Sequence, residues 1–586
     1  MLHSKKRAVV TNFINGYRRT LKKKMRILVG YGSCGKAASA DKVYSVLLQK
    51  AKKLNNDIKI EITGCVGTCY LEPIVTIEND GHFFDYVKVT VDDIDKILND
   101  VKNLDGNIID SNAVRIALKN CGRINPENID DYLTNGGYKD PSIIDIINEL
   151  KIAQLKGRGG AGFLTHIKWQ ALKNASGKNK VIICNADEGD PGAFMDRAIL
   201  EGDPHAVLDG MRQAAYATGA NIGFIYVRAE YPLAIKRLQI AIEQAIKKGF
   251  LGKNVFGKGR HFNVEIRQGA GAFVCGEETA LISSLEGKRG NPKLKPPFPT
   301  DKGFFNYPSL INNVETFANV VYIAKFGGSE FSKLGTENSK GTKVFALAGA
   351  IKNGGLVEVK MGDTLKSVIY DLGGGVANEK EFKAVQIGGP SGGCIPASLL
   401  DTKIDYSELA ATGAIMGSGG MVVMDESSCM VDVARFFLDF TAEESCGKCP
   451  SCRIGTKRML EILERITGGR GQDGDIEKLE NLGEDIKAGA LCGLGQTAPN
   501  PVLSAIRHFR QEFIDHIQNK KCVAAVCKKL ADLTISQTLC TGCSLCAIKC
   551  PVKAISGERG KPFVINNTLC TKCSICKSLC RRGAIL

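Results

Sequence analysis

The sequence predicts a multidomain α/β protein. Three observations predict it: a length of 586 residues, 22 cysteines of which many fall in C-x2-C clusters, and glycine-rich stretches that alternate with strand-like and helix-like runs. At about 150 residues per domain the length allows roughly four domains. An apolar share of 44% with 24% charged residues suits a folded soluble chain. One of the longest uncharged stretches, Leu409–Met424, contains four glycines. It falls short of the roughly 20 apolar residues a membrane-crossing helix needs.

The formal charge of +16 sits at the ends. Residues 1–24 hold eight Lys/Arg and no acid, and residues 520–586 hold twelve against Asp532 and Glu558. The middle is close to neutral, which argues against a nucleic-acid surface. A basic terminus suits an acidic partner. No apolar signal peptide is visible and the cysteines are clustered, so the expected setting is a reducing, cytoplasmic one.

The elements follow in chain order. Residues 1–24 read as a basic N-terminal extension: a solvated tail, a presequence, or an upstream mis-start ahead of Met25. Residues 25–105 read as strand (RILVGY), helix, strand (IKIEITG) and strand (IVTIEN), a small α/β unit. Residues 106–335 read as a glycine-rich α/β domain, with strands VIICNA and GFIYVRA and the helix PLAIKRLQIAIEQAIKKG. Residues 336–427 are β-rich, residues 428–529 helical, and residues 530–586 an internal repeat.

The repeat carries the strongest chemistry. Cys540, Cys543, Cys546 and Cys550 are followed 30 residues later by Cys570, Cys573, Cys576 and Cys580. Three closely spaced thiolates hold three irons of a cubane, and the fourth ligand crosses over from the other run. The expected pairing is Cys540, Cys543, Cys546 with Cys580, and Cys570, Cys573, Cys576 with Cys550. Two zinc knuckles are the alternative, but zinc sites take thiolates in two pairs. Cys446, Cys449 and Cys452 repeat the spacing, with Cys492 in LCGLG as fourth ligand, for one more [4Fe–4S] cluster, with structural zinc as the alternative.

Two further groups are open. Cys34, Cys65 and Cys69 give three thiolates where a [2Fe–2S] domain takes four. Ser39 is an uncommon candidate for the fourth, and a domain kept for docking is the alternative. Cys429, His516, Cys522 and Cys527 fit a closed zinc site, with unrelated buried thiols as the alternative. Isolated Cys121, Cys184, Cys275 and Cys394 read as small buried hydrophobes. So does Trp169, the single tryptophan, as core.

GRGGAGF (157–163) precedes the strand VIICNA, which ends in Asn185, Asp187, Glu188 and Asp190. Glycines let the backbone approach a phosphate, and polar groups at a strand's carboxyl end mark where open α/β sheets bind ligands. GAGAFVCGEE adds Glu277 and Glu278, and INNVET adds Asn312, Asn313 and Thr316.

Together with YVRAEYP, KPPFP and LCGLGQTAPNP, these motifs resemble the FMN-binding flavoprotein subunit of NADH dehydrogenases across residues 106–518. With the added N- and C-terminal cysteine domains, the chain resembles the flavin-carrying beta subunit of electron-bifurcating, NAD(P)-reducing [FeFe]-hydrogenases. The resemblance implies a thioredoxin-like N-terminal domain, a Rossmann-like FMN/NAD domain, a β-grasp-like domain, a helical-bundle [4Fe–4S] domain and a two-[4Fe–4S] ferredoxin domain. It implies FMN on Gly157, Arg158, Gly159, Gly160, Lys168, Asn185, Asp187, Glu188, Gly276, Glu277, Glu278, Asn312, Asn313 and Thr316. NAD(H) would meet Phe163, Phe298 and Lys295. Phe273 and Asp190 depart from the respiratory pattern, and an acid at Asp190 near the ribose favours NAD over NADP. The zinc ligands Cys429, His516, Cys522 and Cys527 match the hydrogenase branch.

The function so implied is hydride exchange with NAD(H) at FMN and single-electron transfer to clusters, coupling H2 to NAD and ferredoxin. The implied partners are an [FeFe]-hydrogenase subunit, a small thioredoxin-like [2Fe–2S] subunit and ferredoxin, in an oligomer of heterotrimers. The alternatives are a diaphorase subunit of formate dehydrogenase, a non-bifurcating NADH dehydrogenase subunit, and a non-catalytic relay or assembly scaffold.

Overall fold

The computed structural model describes residues 25–585 apart from 53–57, 80, 101–113 and 258. The basic extension at 1–24, and the boundary expected at 105/106, lie outside the described residues.

The apolar run of β1 (Arg26–Gly30) is buried at the centre of a four-stranded sheet. It lies parallel to β2 (Lys59–Thr63), with α1 (Ala40–Ala51) in the crossover, and antiparallel to β3 (Val75–Asn79). A fourth strand, β4 (His82–Tyr86), which the sequence reading missed, pairs with β3. Helix α2 (Ile94–Asp100) buries Ile94, Ile97 and Leu98 in the same core.

The second sheet is wholly parallel. Its strands β5 (Val181–Ala186), β6 (Ile222–Arg228), β7 (Asn263–Gly269) and β8 (Ser309–Asn313) lie in the order β7-β6-β5-β8. Val181 to Cys184 are all fully buried, as a strand covered on both faces requires. Helices α3 (Pro204–Thr218) and α4 (Val314–Phe326) pack against each other in the core that also covers this sheet. From β5 the chain goes to β6 and β7 on one side, and β8 joins on the other. The switch point therefore falls between β5 and β8, where Asn185 stands opposite Asn313.

The β-rich segment forms a mixed sheet in the order β10-β9-β13-β11-β12, from β9 (Thr342–Gly349), β10 (Gly355–Lys360), β11 (Phe382–Ile387), β12 (Gly393–Pro396) and β13 (Gly420–Asp425). The helical segment packs α5 (Met430–Glu443), α6 (Pro450–Thr467), α7 (Asp475–Gly489) and α8 (Asn500–Ile517) around Leu438, Met459, Leu463 and Phe513. The C-terminal repeat is visible in the backbone. Ser544 and Ser574, at φ 64° and 62°, open the short helices α9 (Leu545–Ile548) and α10 (Ile575–Leu579). No helix among the described residues is long and apolar enough to cross a membrane.

Candidate functional site

The glycine loop closes on itself, with the Gly157 N–H donating to the Phe163 carbonyl at 2.8 Å. Gly160 and Gly162 take φ of 117° and 65°, a region that favours glycine. Arg158 is 0% exposed. Its guanidinium donates to the carbonyls of Thr342, Lys156 and Lys340, and its backbone N–H to Thr316 Oγ1 at 2.9 Å. Arg158 thus shapes the loop from within, its guanidinium turned onto backbone carbonyls. A Cβ at Gly157 or Gly276 would make only ordinary van der Waals contact, at 3.5 Å with the Phe163 carbonyl and 3.6 Å with the Asp187 carbonyl.

The carboxyl ends of β5 and β8 supply the polar cluster. Asn185 donates to the Gly276 carbonyl at 2.9 Å and accepts from the Asp187 N–H at 3.0 Å. Asp187 is buried and neither carboxylate oxygen has a hydrogen-bond partner. Burial pushes its carboxyl up to about 7, against the pull of Arg228. A buried acceptor without a donor is costly, and a ligand donor would satisfy it. Glu188 accepts from the Asp196 and Arg197 amides, at 3.0 and 3.1 Å. Asn313 donates to Asp196 and caps α4, and Asn312 accepts from Trp169 Nε1 at 2.9 Å. Trp169 is core, as expected.

A second wall carries alternating charge. Lys168 Nζ lies 3.0 Å from one Glu278 oxygen, and Lys295 Nζ lies 2.9 Å from the other. Burial alone would raise the Glu278 carboxyl, but the two lysines hold it below its ordinary value. Glu277 accepts from the amides of Thr279 and Ala280, both at 2.9 Å, and lies 3.3 Å from Lys295. Phe163 and Phe298 remain 50% and 53% exposed, available for stacking. Phe273 packs edge-on to Phe440 at 5.4 Å.

The sequence reading did not foresee that the β-rich segment closes this site. Tyr406 donates to the Gly157 carbonyl at 2.8 Å. Ser418 donates to Asp190 at 2.5 Å, and burial moves that carboxyl up to about 6. The glycine cluster GSGG around Ser418 was the available signal, but glycines alone do not say what they approach. Buried Lys343 pairs with Glu315 behind the loop.

The thiols gather in groups. Cys449 and Cys492 sit at the starts of α6 and of the short helix Gly493–Thr497. Burial raises the Cys492 thiol, and the charges of Glu277 and Cys446 raise it further. Burial, and the charges of Cys449, Cys492 and Cys446, push Cys452 up to about 11. Four thiols within electrostatic reach of one another, with Glu277 in reach of Cys492, suit a cationic core. One cavity in the C-terminal repeat is lined by Cys540, Cys543, Cys546 and Cys580. A second is lined by Cys550, Cys570, Cys573 and Cys576. Cys429, His516, Cys522 and Cys527 are all buried, with ligand atoms within 4.8 Å of one another. His516 Nδ1 lies 2.7 Å from the Glu512 carbonyl, which leaves Nε2 facing Cys429 Sγ at 3.3 Å. Cys34, Cys65 and Cys69 also converge. Ser39 is exposed at the start of α1. Cys121, Cys184, Cys275 and Cys394 are isolated and buried.

The polar cluster at the switch point and the thiol groups fit one class, shown by the comparisons that follow: an oxidoreductase subunit that binds FMN and 4Fe–4S clusters. The Nuo51 FMN-binding domain matches residues 150–322, and the NADH-ubiquinone oxidoreductase-F iron–sulfur binding region matches 432–516. A 4Fe–4S binding domain matches 533–556. The NADP-reducing hydrogenase protein HndC of Solidesulfovibrio fructosivorans is 56% identical over 77% of this chain and 93% of its own length. The F 2 component of the NADH-quinone oxidoreductase of Rhizobium meliloti is 43% identical over 66% and 91%. A solved NAD+-reducing [NiFe]-hydrogenase in the H2-reduced state superposes with a TM-score of 0.62 at 29% identity, covering 85% of each chain. The chain belongs to the Nuo51 family of FMN-binding flavoproteins, together with HndC and the F components of NADH-quinone oxidoreductases.

Proposed function

We propose that this chain is the flavin-carrying subunit of an electron-bifurcating [FeFe]-hydrogenase, coupling H2 to both NAD and ferredoxin. The observation that carries the reading is one switch-point crevice served by two separate iron–sulfur regions. Glu277 of the crevice acts electrostatically on Cys492 of the nearer region, and the C-terminal repeat supplies the other. The 56% identity to a hydrogenase subunit supports the choice of partner.

The domains would be a thioredoxin-like unit at 25–105, a Rossmann-like FMN/NAD domain at 106–335 and a β-grasp-like domain at 336–427. A helical cluster domain at 428–529 and a ferredoxin-like domain at 530–586 complete the chain. FMN supplies the exchange between the electron pair of a hydride and the single electrons that clusters accept. The loop amides of Gly157–Gly160 bind its phosphate, and Asn185, Asp187 and Lys168 orient its polar edge. Phe163 and Phe298 flank the nicotinamide of NAD(H), and Lys295 meets its polar groups. Asp190 near the ribose favours NAD over NADP.

Three [4Fe–4S] clusters are placed on the Cys446 group and the two repeat groups, and zinc on Cys429, His516, Cys522 and Cys527. The N-terminal trio lacks the fourth thiolate of a [2Fe–2S] centre, so no cluster is counted there. The partners are an [FeFe]-hydrogenase subunit, a small thioredoxin-like [2Fe–2S] subunit and ferredoxin, assembled as an oligomer of heterotrimers in the cytoplasm.

Mass spectrometry of the native complex, purified without oxygen, tests the partner. A large [FeFe]-hydrogenase subunit is expected. A formate dehydrogenase subunit in its place would move the second substrate to formate. H2-dependent NAD reduction that runs equally well without ferredoxin would refute bifurcation.

A further inference from the structure

Among the described residues, only two groups of side chains bring three or more metal-binding atoms within 4.8 Å of one another. One is the Cys429 quartet, and the other is Cys34, Cys65 and Cys69. None of the three cubane-type quartets is that compact, as expected when each thiolate serves a different iron of a cluster. Around one tetrahedral zinc, with Zn–S near 2.3 Å, neighbouring thiolates stand ~3.8 Å apart. Cys65 Sγ and Cys69 Sγ are 3.6 Å apart. With Cys34 also within 4.8 Å of both, the trio is spaced for a single ion.

A fourth candidate donor lies beside the trio, with its carboxylate outside the 4.8 Å group that the three thiols form. Glu72 lies three residues after Cys69, just past the short helix Cys69–Leu71. It is 8% exposed. Its Oε2 accepts from the Ile74 N–H at 2.9 Å, while its buried Oε1 has no hydrogen-bond partner. The carboxylate lies against the loop that carries Cys34: a Cβ at Gly30 or Gly35 would stand 2.9 and 3.2 Å from Oε2. All three thiols lie within electrostatic reach of it. A buried carboxylate without a cation or a full set of donors is costly.

The same loops dock the N-terminal unit onto the rest of the chain. Ser33, beside Cys34, gives Glu201 its N–H at 2.8 Å and its hydroxyl at 2.5 Å. Between Cys65 and Cys69, the Gly67 carbonyl accepts from the Leu356 N–H at 2.7 Å, and the Val66 carbonyl from Arg115.

We propose that Cys34, Cys65, Cys69 and Glu72 bind one zinc ion, a redox-inert staple that holds the docking loops of the N-terminal unit. Three thiolates and a carboxylate complete a four-coordinate structural site, and binding releases the three thiol protons.

The test counts zinc and iron per chain in the intact complex, purified without oxygen. Cys34→Ser is expected to lower zinc by one per chain and leave iron unchanged. Unchanged zinc, or a loss of two irons together with an electron paramagnetic resonance signal, would overturn the proposal. Glu72→Gln keeps the three thiols and so guards against a folding failure in the cysteine variant. It is expected to release that zinc to a chelator at a concentration lower by roughly tenfold or more. Release at the wild-type chelator concentration would remove Glu72 from the site.

Discussion

The Tyr406 hydroxyl reaches the Gly157 carbonyl at 2.8 Å and ties the mixed sheet's domain to the glycine loop. A Cβ at Gly162 would stand 2.6 Å from the Tyr406 ring, so the loop is also seated on that ring. Tyr406→Phe keeps the ring and loses the hydrogen bond. A net bond of about 1 kcal/mol corresponds to roughly fivefold weaker FMN retention. Flavin fluorescence released on dilution measures it. Unchanged retention would show that the ring alone seats the loop.

Asp187 makes the FMN-free site pH-dependent. Its folded carboxyl is raised to about 7 from an ordinary 3.8, chiefly by burial. The folded state therefore binds more protons than the unfolded state between these values, and stability falls as pH rises through that window. Asp187→Asn removes this slope. Melting temperatures of the flavin-free proteins should converge near pH 4, with the variant ahead at pH 8. Flavin binding should weaken in the same variant, because the amide both donates and accepts.

Glu277 places a negative charge near Cys492. Reduction adds an electron to a cluster, so a nearby anion disfavours it. Glu277→Gln should raise the midpoint potential of the Cys446 cluster, by on the order of tens of millivolts. A redox titration followed by electron paramagnetic resonance reads the shift, and the C-terminal clusters serve as the internal control.

His516 presents Nε2 to Cys429 Sγ, because Nδ1 is held on the Glu512 carbonyl. His516→Ala should release the zinc proposed for the Cys429 group and lower the melting temperature. The cluster on Cys446, Cys449, Cys452 and Cys492 should keep its spectrum. A loss of cluster iron in step with zinc would show instead that the two sites fold as one unit.

Much of this protein was legible before any fold was known. Chelation by a loop is a local act, so C-x2-C-x2-C spacing announces its chemistry directly. Asn185, at the end of the apolar strand β5, and Asp187 just beyond it stand where the sequence placed them. Strand β4 was missed because HFFDY lacks the clean alternation of a half-buried strand.

What the sequence by itself determined is the set of chemical groups: the thiol runs, the glycine loop and the strand-end acids. The tertiary structure alone decided which distant groups meet. Tyr406 finds Gly157 across 249 positions and Ser418 finds Asp190 across 228. Arg158 turns its charge inward onto carbonyls, and Glu72 is buried beside Cys34. These contacts follow from how buried faces dock whole domains together, and residue spacing along the chain carries no record of that docking.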